Sequence, residues 1–345
     1  MREQVHGGDI YRNQNVIDFS VNSNPFGPPE SVTRAILEHT KDIAFYPDME
    51  CEKLRDAIGK YENMRPENIL CGNGAAELFY AISFSIRPKR ALLLAPTFSE
   101  YEKALHAVRA KVDYYCLTRE QGFLVQEDIL EKITSELDIL FFCNPNNPTG
   151  LVTEPELLRK IISKCEEEKV ILVLDECFLD FLEDGPMYEM KDMCEKCRYL
   201  VVVKAFTKIF CMPGLRLGYC MSGNQDLLLK MRSVMQAWNV SVLAQISGVA
   251  ALENPEEYLE KTRAFIIEER QFLLRELKEL GYQVYDSKAN YVFFEGRPGL
   301  YEKALEAGFL VRDCGNYVGL ETGAYRIAVR THEENERIVT WLKQL

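Results

Sequence analysis

Between about residues 70 and 250, short uninterrupted apolar runs alternate with stretches of helical period. Four runs are strand-like: "RALLLAP" (90–96), "LDILFFC" (137–143), "VILVLDE" (170–176) and "YLVVV" (199–203). They are apolar at every position rather than at every second one. That pattern means burial on both faces, as in a parallel sheet covered by helices. Between two of them, "PELLRKIISKCEEEK" (155–169) puts Leu157, Leu158, Ile161, Ile162 and Cys165 on one helical face, with charges opposite. Strand and helix in alternation predict βαβ units and an α/β fold with a mostly parallel, doubly wound sheet.

After Pro255 the texture changes. "EEYLEKTRAFIIEERQFLLRELKELG" (256–281) predicts a long helix ended by Gly281. Short strands follow at "YQVY", "NYVFF" and "AYRIAVR", with a closing helix at 332–345. This predicts a smaller α+β domain over 255–345, beside a large domain at 41–254. Residues 1–40 contain little sheet signal and a turn-rich crossing, "NSNPFGPP" (22–29), and are expected to join the small domain.

Composition removes several function classes. The net charge is −12 and no dense Lys/Arg run exists, which excludes a nucleic-acid partner but leaves room for a small anionic ligand held by a few arginines. No stretch of 18 apolar residues occurs and the first residues lack a signal-peptide core, so no membrane contact is expected. Eleven scattered cysteines, several inside apolar runs (Cys143, Cys177, Cys220), suit reduced thiols in a cytoplasm. Cys194 and Cys197 form one CxxC, but no second ligand pair matches it. They are expected to be two free thiols in a surface loop, and no metal is predicted.

Four features line up along the large domain. "CGNGAAELFY" (71–80) is a Gly-rich turn leading into a helix, with Gly74, Ala75 and Ala76 offering backbone N–H groups to a phosphate. "NPNNPTG" (144–150) sets Asn147 in a turn beyond the strand "ILFFC", at the sheet edge where open α/β sheets bind ligands. "LVLDECFLDF" (172–181) puts Asp175 at the end of a strand core, where a buried carboxylate calls for a cationic partner. "KAFTKIFCMPGLRLGY" (204–219) then ends the next strand on Lys208 in apolar company. A buried amine costs several kcal/mol, roughly, unless its charge is removed or used.

Singly, these read as a plain turn, a turn asparagine, a helix-capping aspartate and a snorkelling lysine. Together, at successive strand ends, they fit one cofactor. Pyridoxal phosphate needs a lysine for its Schiff base, an acid for its ring nitrogen, a donor for its ring hydroxyl and donors for its phosphate. Lys208, Asp175, Asn147 and the 72–76 turn with Arg216 supply them.

"NPNNPTG", "LDECFLDF" and "FTKIFCMPGLRLGY" resemble the fold type I pyridoxal-phosphate enzymes of the class I/II aminotransferase superfamily, over nearly the whole chain. The resemblance implies that Lys208 carries the cofactor, that Asp175 pairs with its ring nitrogen and Asn147 with its O3′, and that Arg216 binds its phosphate. Phe98, in "APTFSEY", matches the aromatic residue stacked on the ring. Tyr46, in "FYPDME", matches a tyrosine reaching the phosphate of a neighbouring subunit, which implies a homodimer. Arg326, in "AYRIAVR", matches the arginine that takes a substrate carboxylate. Two departures stand out. Phe178 replaces a common tyrosine, leaving Asn147 alone at O3′. Ala205 replaces a hydroxyl residue, with Thr207 as its substitute at the phosphate.

The N-terminal "VHGGDIYRNQNVIDFSVNSNPFGPP", with "GNGAAELF", Phe178, "NYVGL" and "YRIAVR", resembles the L-threonine O-phosphate decarboxylases, a group related to the histidinol-phosphate aminotransferases. Carried over by position, His6, Gly7, Asn22, Arg312 and Arg326 hold the phosphate and carboxylate of a small phosphorylated amino acid. The expected reaction is loss of carbon dioxide from that substrate. The alternative is transfer of its amino group to 2-oxoglutarate. Both chemistries use the same cofactor shell, so the motifs leave the choice open. A non-catalytic regulator built on this fold would carry a fused basic DNA-binding domain, which the sequence does not show.

Overall fold

The computed structural model describes residues 6–345. Its centre is a seven-stranded sheet in the order Ile69–Gly72, Gly218–Met221, Leu200–Ala205, Ile171–Asp175, Ile139–Cys143, Arg90–Ala95, Lys111–Cys116. The four runs picked out by sequence are its contiguous middle. Three of them, Leu200–Ala205, Ile171–Asp175 and Ile139–Cys143, pair in parallel, as does Arg90–Ala95 with Ile139–Cys143. Gly218–Met221 runs antiparallel to both its neighbours.

The three strands without a sequence signal have physical reasons for their silence. Ile69–Gly72 and Gly218–Met221 are four residues each and contain glycine. Lys111–Cys116 is an edge strand that keeps Lys111 and Cys116 exposed, so its apolar run is broken.

A second sheet orders Arg312–Asp313, Ala324–Ala328, Tyr291–Glu295 and Gln283–Val284. The long helix is Glu256–Glu279, and the chain leaves it through Gly281 at φ +82°, a backbone conformation that glycine adopts without strain. Near the N-terminus, Ile17–Asp18 pairs in parallel with Phe309–Leu310. The helix Glu30–Glu38 packs on the helix Val242–Ala251.

Two expectations need correcting. Lys208 does not end a strand. The strand stops at Ala205, and Lys208 sits in a single helical turn, Phe206–Ile209. The strand's own lysine is Lys204, only 2% exposed. Strand alternation sends Lys204 to the face opposite Ala205. There its Nζ lies 2.8 Å from Glu189 Oε1 and 3.1 Å from Glu62 Oε1. Burial pushes the Glu62 carboxyl up, but Lys204 and Lys191 outweigh it and hold it down at about 2. Nor is the CxxC a surface pair. Cys194 is buried, its Sγ 3.6 Å from the Met221 carbonyl and its own carbonyl accepting from the Gly223 N–H at 2.8 Å, because the 190–197 segment packs against the end of the strand Gly218–Met221. Cys197 is half-buried and both thiols are free.

Candidate active site

The C-terminal ends of the middle strands open on a cavity of about 330 Å³. Asp175 is the last residue of its strand. Its Oδ1 accepts from the Cys177 backbone N–H at 2.9 Å, and its Oδ2 accepts from the Tyr101 hydroxyl at 2.5 Å. Among the described residues Asp175 makes no ion pair. The cationic partner expected at this position is replaced by a phenol and an amide, with Lys208 acting on it through space. Burial pushes the Asp175 carboxyl up. A proton-bearing cofactor nitrogen would relieve that cost, which fits the role assigned to this residue.

Lys208 lines the same cavity, its Nζ 5.8 Å from the Phe178 ring centre. Burial lowers its amine to about 8, with Arg326 and Arg216 adding to the shift against Cys177 and Asp175. A lowered amine carries more of its neutral, nucleophilic form near neutral pH. Phe178 packs edge-on against Tyr291 at 5.0 Å, so the aromatic that replaces a tyrosine is a packing residue.

The phosphate end is built at the start of the helix Gly74–Ile86. No side chain caps this helix, and Ala75 and Ala76 face the cavity. Its first N–H groups are the ordinary anion-binding feature of a helix N-terminus. Gly74, at φ +78°, lies behind the lining rather than on it. A Cβ there would come within 2.6 Å of Arg216 Nη2, so the glycine lets the guanidinium close on the helix start. Arg216 is itself anchored, donating to the Pro213 carbonyl at 3.2 Å. Thr207 is buried on the same wall, and Phe98 forms another side, edge-on to Tyr101 at 5.6 Å. Uncapped helix, guanidinium, hydroxyl, carboxylate and lowered amine fit pyridoxal phosphate group by group.

The remaining wall is cationic. Arg326 donates from Nη1 to Asn147 Oδ1 and from Nη2 to the Ser20 carbonyl at 2.6 Å, while its buried Nε has no partner among the described residues. Because Arg326 takes the oxygen of Asn147, the donor that Asn147 presents is its Nδ2. Arg312 donates to Asn316 Oδ1 at 3.0 Å and lies 5.1 Å over the Tyr317 ring. Asn22 is buried, and its Oδ1 has no hydrogen-bond partner among the described residues. His6 and Gly7 complete the wall. Gly7 must be glycine because a Cβ would meet the Ser20 carbonyl at 2.5 Å.

One predicted residue stands apart. Tyr46 is 78% exposed, outside the cavity, against the Trp238 ring at 4.5 Å. Sequence reasoning missed Tyr101 and Ser20. Tyr101 lay within the quoted "APTFSEY", in the first turn of the helix Glu100–Ala107, and its ring packs edge-on against Phe98 just before that helix. Ser20 acts through its backbone carbonyl, for which no side-chain signal exists.

A seven-stranded α/β sheet with an aspartate ending one strand and a lysine and an asparagine just beyond two others, all on one cavity, is the arrangement of a pyridoxal-phosphate enzyme. Residues 14–342 match the model of the aminotransferase class I and II family, and the chain belongs to that family. Pyridoxal phosphate is its cofactor. Within it, the chain is 33% identical to the threonine-phosphate decarboxylase of Salmonella typhimurium, covering 99% of this chain and 96% of that one. It is 32% identical to the histidinol-phosphate aminotransferase of Thermoanaerobacter sp., over 100% of this chain and 98% of the relative. Among solved structures, the histidinol-phosphate aminotransferase of Clostridium acetobutylicum superposes with a TM-score of 0.88 at 28% identity, covering 94% of this chain and 98% of that chain. No helix among the described residues is long and apolar enough to cross a membrane.

Proposed function

We propose that this enzyme decarboxylates an L-amino acid O-phosphate, L-threonine O-3-phosphate foremost, giving the amino alcohol phosphate that a cobalamin-forming cell uses. The observation that carries this reading is the pairing of Arg312 and Arg326 with Asn22 and His6 on the cavity wall that also holds Lys208. Full-length similarity to a threonine-phosphate decarboxylase supports it.

Each residue has a definite task. Thr207, Arg216 and the helix start at Ala75 and Ala76 hold the cofactor phosphate. Phe98 would bound the ring, Asn147 would donate to its hydroxyl, and Asp175 would hold a proton at its nitrogen. Bound in this way, pyridoxal phosphate withdraws the electron pair left at Cα when one of its bonds breaks. Arg312 and Arg326 grip the substrate's phosphate, since a guanidinium fork matches phosphate geometry. The carboxylate, left without a guanidinium partner, is free to leave as carbon dioxide from a site where the N-terminal segment excludes water. Lys208 returns a proton to Cα.

The alternative, an aminotransferase acting on histidinol phosphate, is supported by the 32%-identical relative and by the fold likeness. There Arg326 holds the phosphate of histidinol phosphate, which has no carboxylate, and the α-carboxylate of glutamate in the other half-reaction, and Lys208 removes a proton from Cα instead of delivering one. One assay separates the two. The holoenzyme is given L-threonine phosphate and, separately, L-histidinol phosphate, each with and without 2-oxoglutarate. Carbon dioxide released without the keto acid is expected. Glutamate that forms only with the keto acid would overturn the decarboxylase reading.

Two coarser properties belong to the same proposal. The enzyme works as a homodimer, supported by the exposed aromatic patch of Phe45, Tyr46 and Trp238. It works in a cytoplasm, supported by eleven free cysteines, most of them buried.

A further inference from the structure

Two charged side chains at the cavity mouth, Glu100 and Lys103, take no part in the roles above. His6 stands at the mouth, its ring 6.3 Å from that of Phe98. The helix Glu100–Ala107 sends two side chains, one turn apart, to a single atom of that ring. Glu100 Oε1 lies 2.8 Å from His6 Nε2 and Lys103 Nζ lies 2.9 Å from it. Lys103 Nζ also donates to Glu100 Oε1 at 2.7 Å. A ring nitrogen carries either a hydrogen or a lone pair. With the hydrogen it donates to Glu100, and with the lone pair it accepts from Lys103. The ring is held in both states.

The contact sits at the solvent edge: the Glu100 side chain is 15% exposed, those of His6 and Lys103 48% and 34%. The hydrogen bond from His6 leads the effects that take the Glu100 carboxyl down to about 2. The hold also continues inward. Gly7 lies against the Ser20 backbone, the Gly8 N–H donates to Ser20 Oγ at 2.8 Å, and the Ser20 carbonyl accepts from Arg326. The same helix carries Tyr101, which binds Asp175. One helix thus steadies both the cofactor acid and the N-terminal segment.

We propose that Glu100 and Lys103 are positioning residues: they pin His6, and with it residues 6–20, over the cavity beside Arg312 and Arg326, so that the anionic substrate is bound in a closed site. This rests on the reading of that wall as the seat of a phosphorylated amino acid.

The test uses holoenzyme variants and two readouts. Glu100→Ala should raise KM for L-threonine phosphate about two- to five-fold, the factor that a hydrogen-bonded ion pair at the solvent edge commands, with kcat changed much less. Glu100→Gln keeps an acceptor oxygen and should restore most of the loss. The double variant His6→Ala/Glu100→Ala should be no worse than His6→Ala alone. Full additivity would mean that Glu100 does not act through His6 and would overturn the proposal. The second readout needs no turnover: amide hydrogen exchange over residues 6–20 should quicken in Glu100→Ala and in His6→Ala. Unchanged exchange overturns the latch. Quickened exchange in an enzyme that never acts on L-threonine phosphate upholds the latch and removes the substrate reading instead.

Discussion

Lys208 and Asp175 share one cavity, and burial acts on them in opposite senses. It drives the amine down to about 8 from an ordinary 10.5 and the carboxyl up. The amine has a measurable consequence in the cofactor-free protein. Between about pH 8 and 10.5 the unfolded chain binds a proton at Lys208 that the folded chain does not, so stability rises with pH in that window. Below it, the folded protein bears the full cost of the shift. Lys208→Met should therefore be more stable than the wild type at pH 7, by up to about 3 kcal/mol. The difference should vanish by pH 10.5 in paired urea titrations of the apoproteins. The carboxyl makes a different prediction. Asp175→Asn keeps shape but cannot hold a proton on the ring nitrogen. It should fold normally by circular dichroism and turn over more slowly by a factor of about 100 or more; near wild-type turnover would remove Asp175 from that role.

At the scale of elements, the helix Gly74–Ile86 and the arginine beside it are one device. Gly74→Ala adds a methyl 2.6 Å from Arg216 Nη2 at a φ of +78°. It should weaken cofactor binding at least about ten-fold, read by absorbance titration, because the guanidinium must back away from the helix start. Below the sheet, Lys204 ties its strand to the helix Glu52–Glu62 through Glu62, and Tyr219 also donates to that carboxylate. Removing Lys204 leaves the buried Glu62, with Glu189, to Lys191 alone. Lys204→Met should cost about 3–5 kcal/mol in urea unfolding while leaving the cavity residues in place. A loss near zero would mean that water or rearrangement already relieves the cluster.

For the whole molecule, the exposure of Tyr46 is the feature to explain. A large aromatic at 78% exposure beside Trp238, with Phe45 next to it, is expensive surface for a lone chain. If Tyr46 completes a partner's phosphate site, sedimentation should give twice the chain mass. Tyr46→Phe should then weaken cofactor binding several-fold, by roughly 1 kcal/mol, without splitting the dimer. A monomer with unaltered cofactor affinity in Tyr46→Phe would refute the assignment.

The middle of the sheet was legible because four strands buried on both faces must be apolar at every position. The long C-terminal helix was legible through its period and its terminal glycine. Lys208, Asp175, Asn147 and Arg216 were legible because each follows or ends such an element in a recognisable motif. Strands at the sheet edge or four residues long carry too few buried positions to leave a pattern, so pairing alone revealed Ile69–Gly72, Lys111–Cys116 and Gly218–Met221. The same limit hid the partners. Tyr101 meets Asp175 across 74 positions, and Ser20 meets Arg326 across 306, the latter through a backbone carbonyl that every residue possesses. Lys204 read as one more residue of an apolar run until Glu62, 142 positions away, was brought to it. Local chemistry is written in order along the chain; which charges neutralise one another depends on distances that only folding creates.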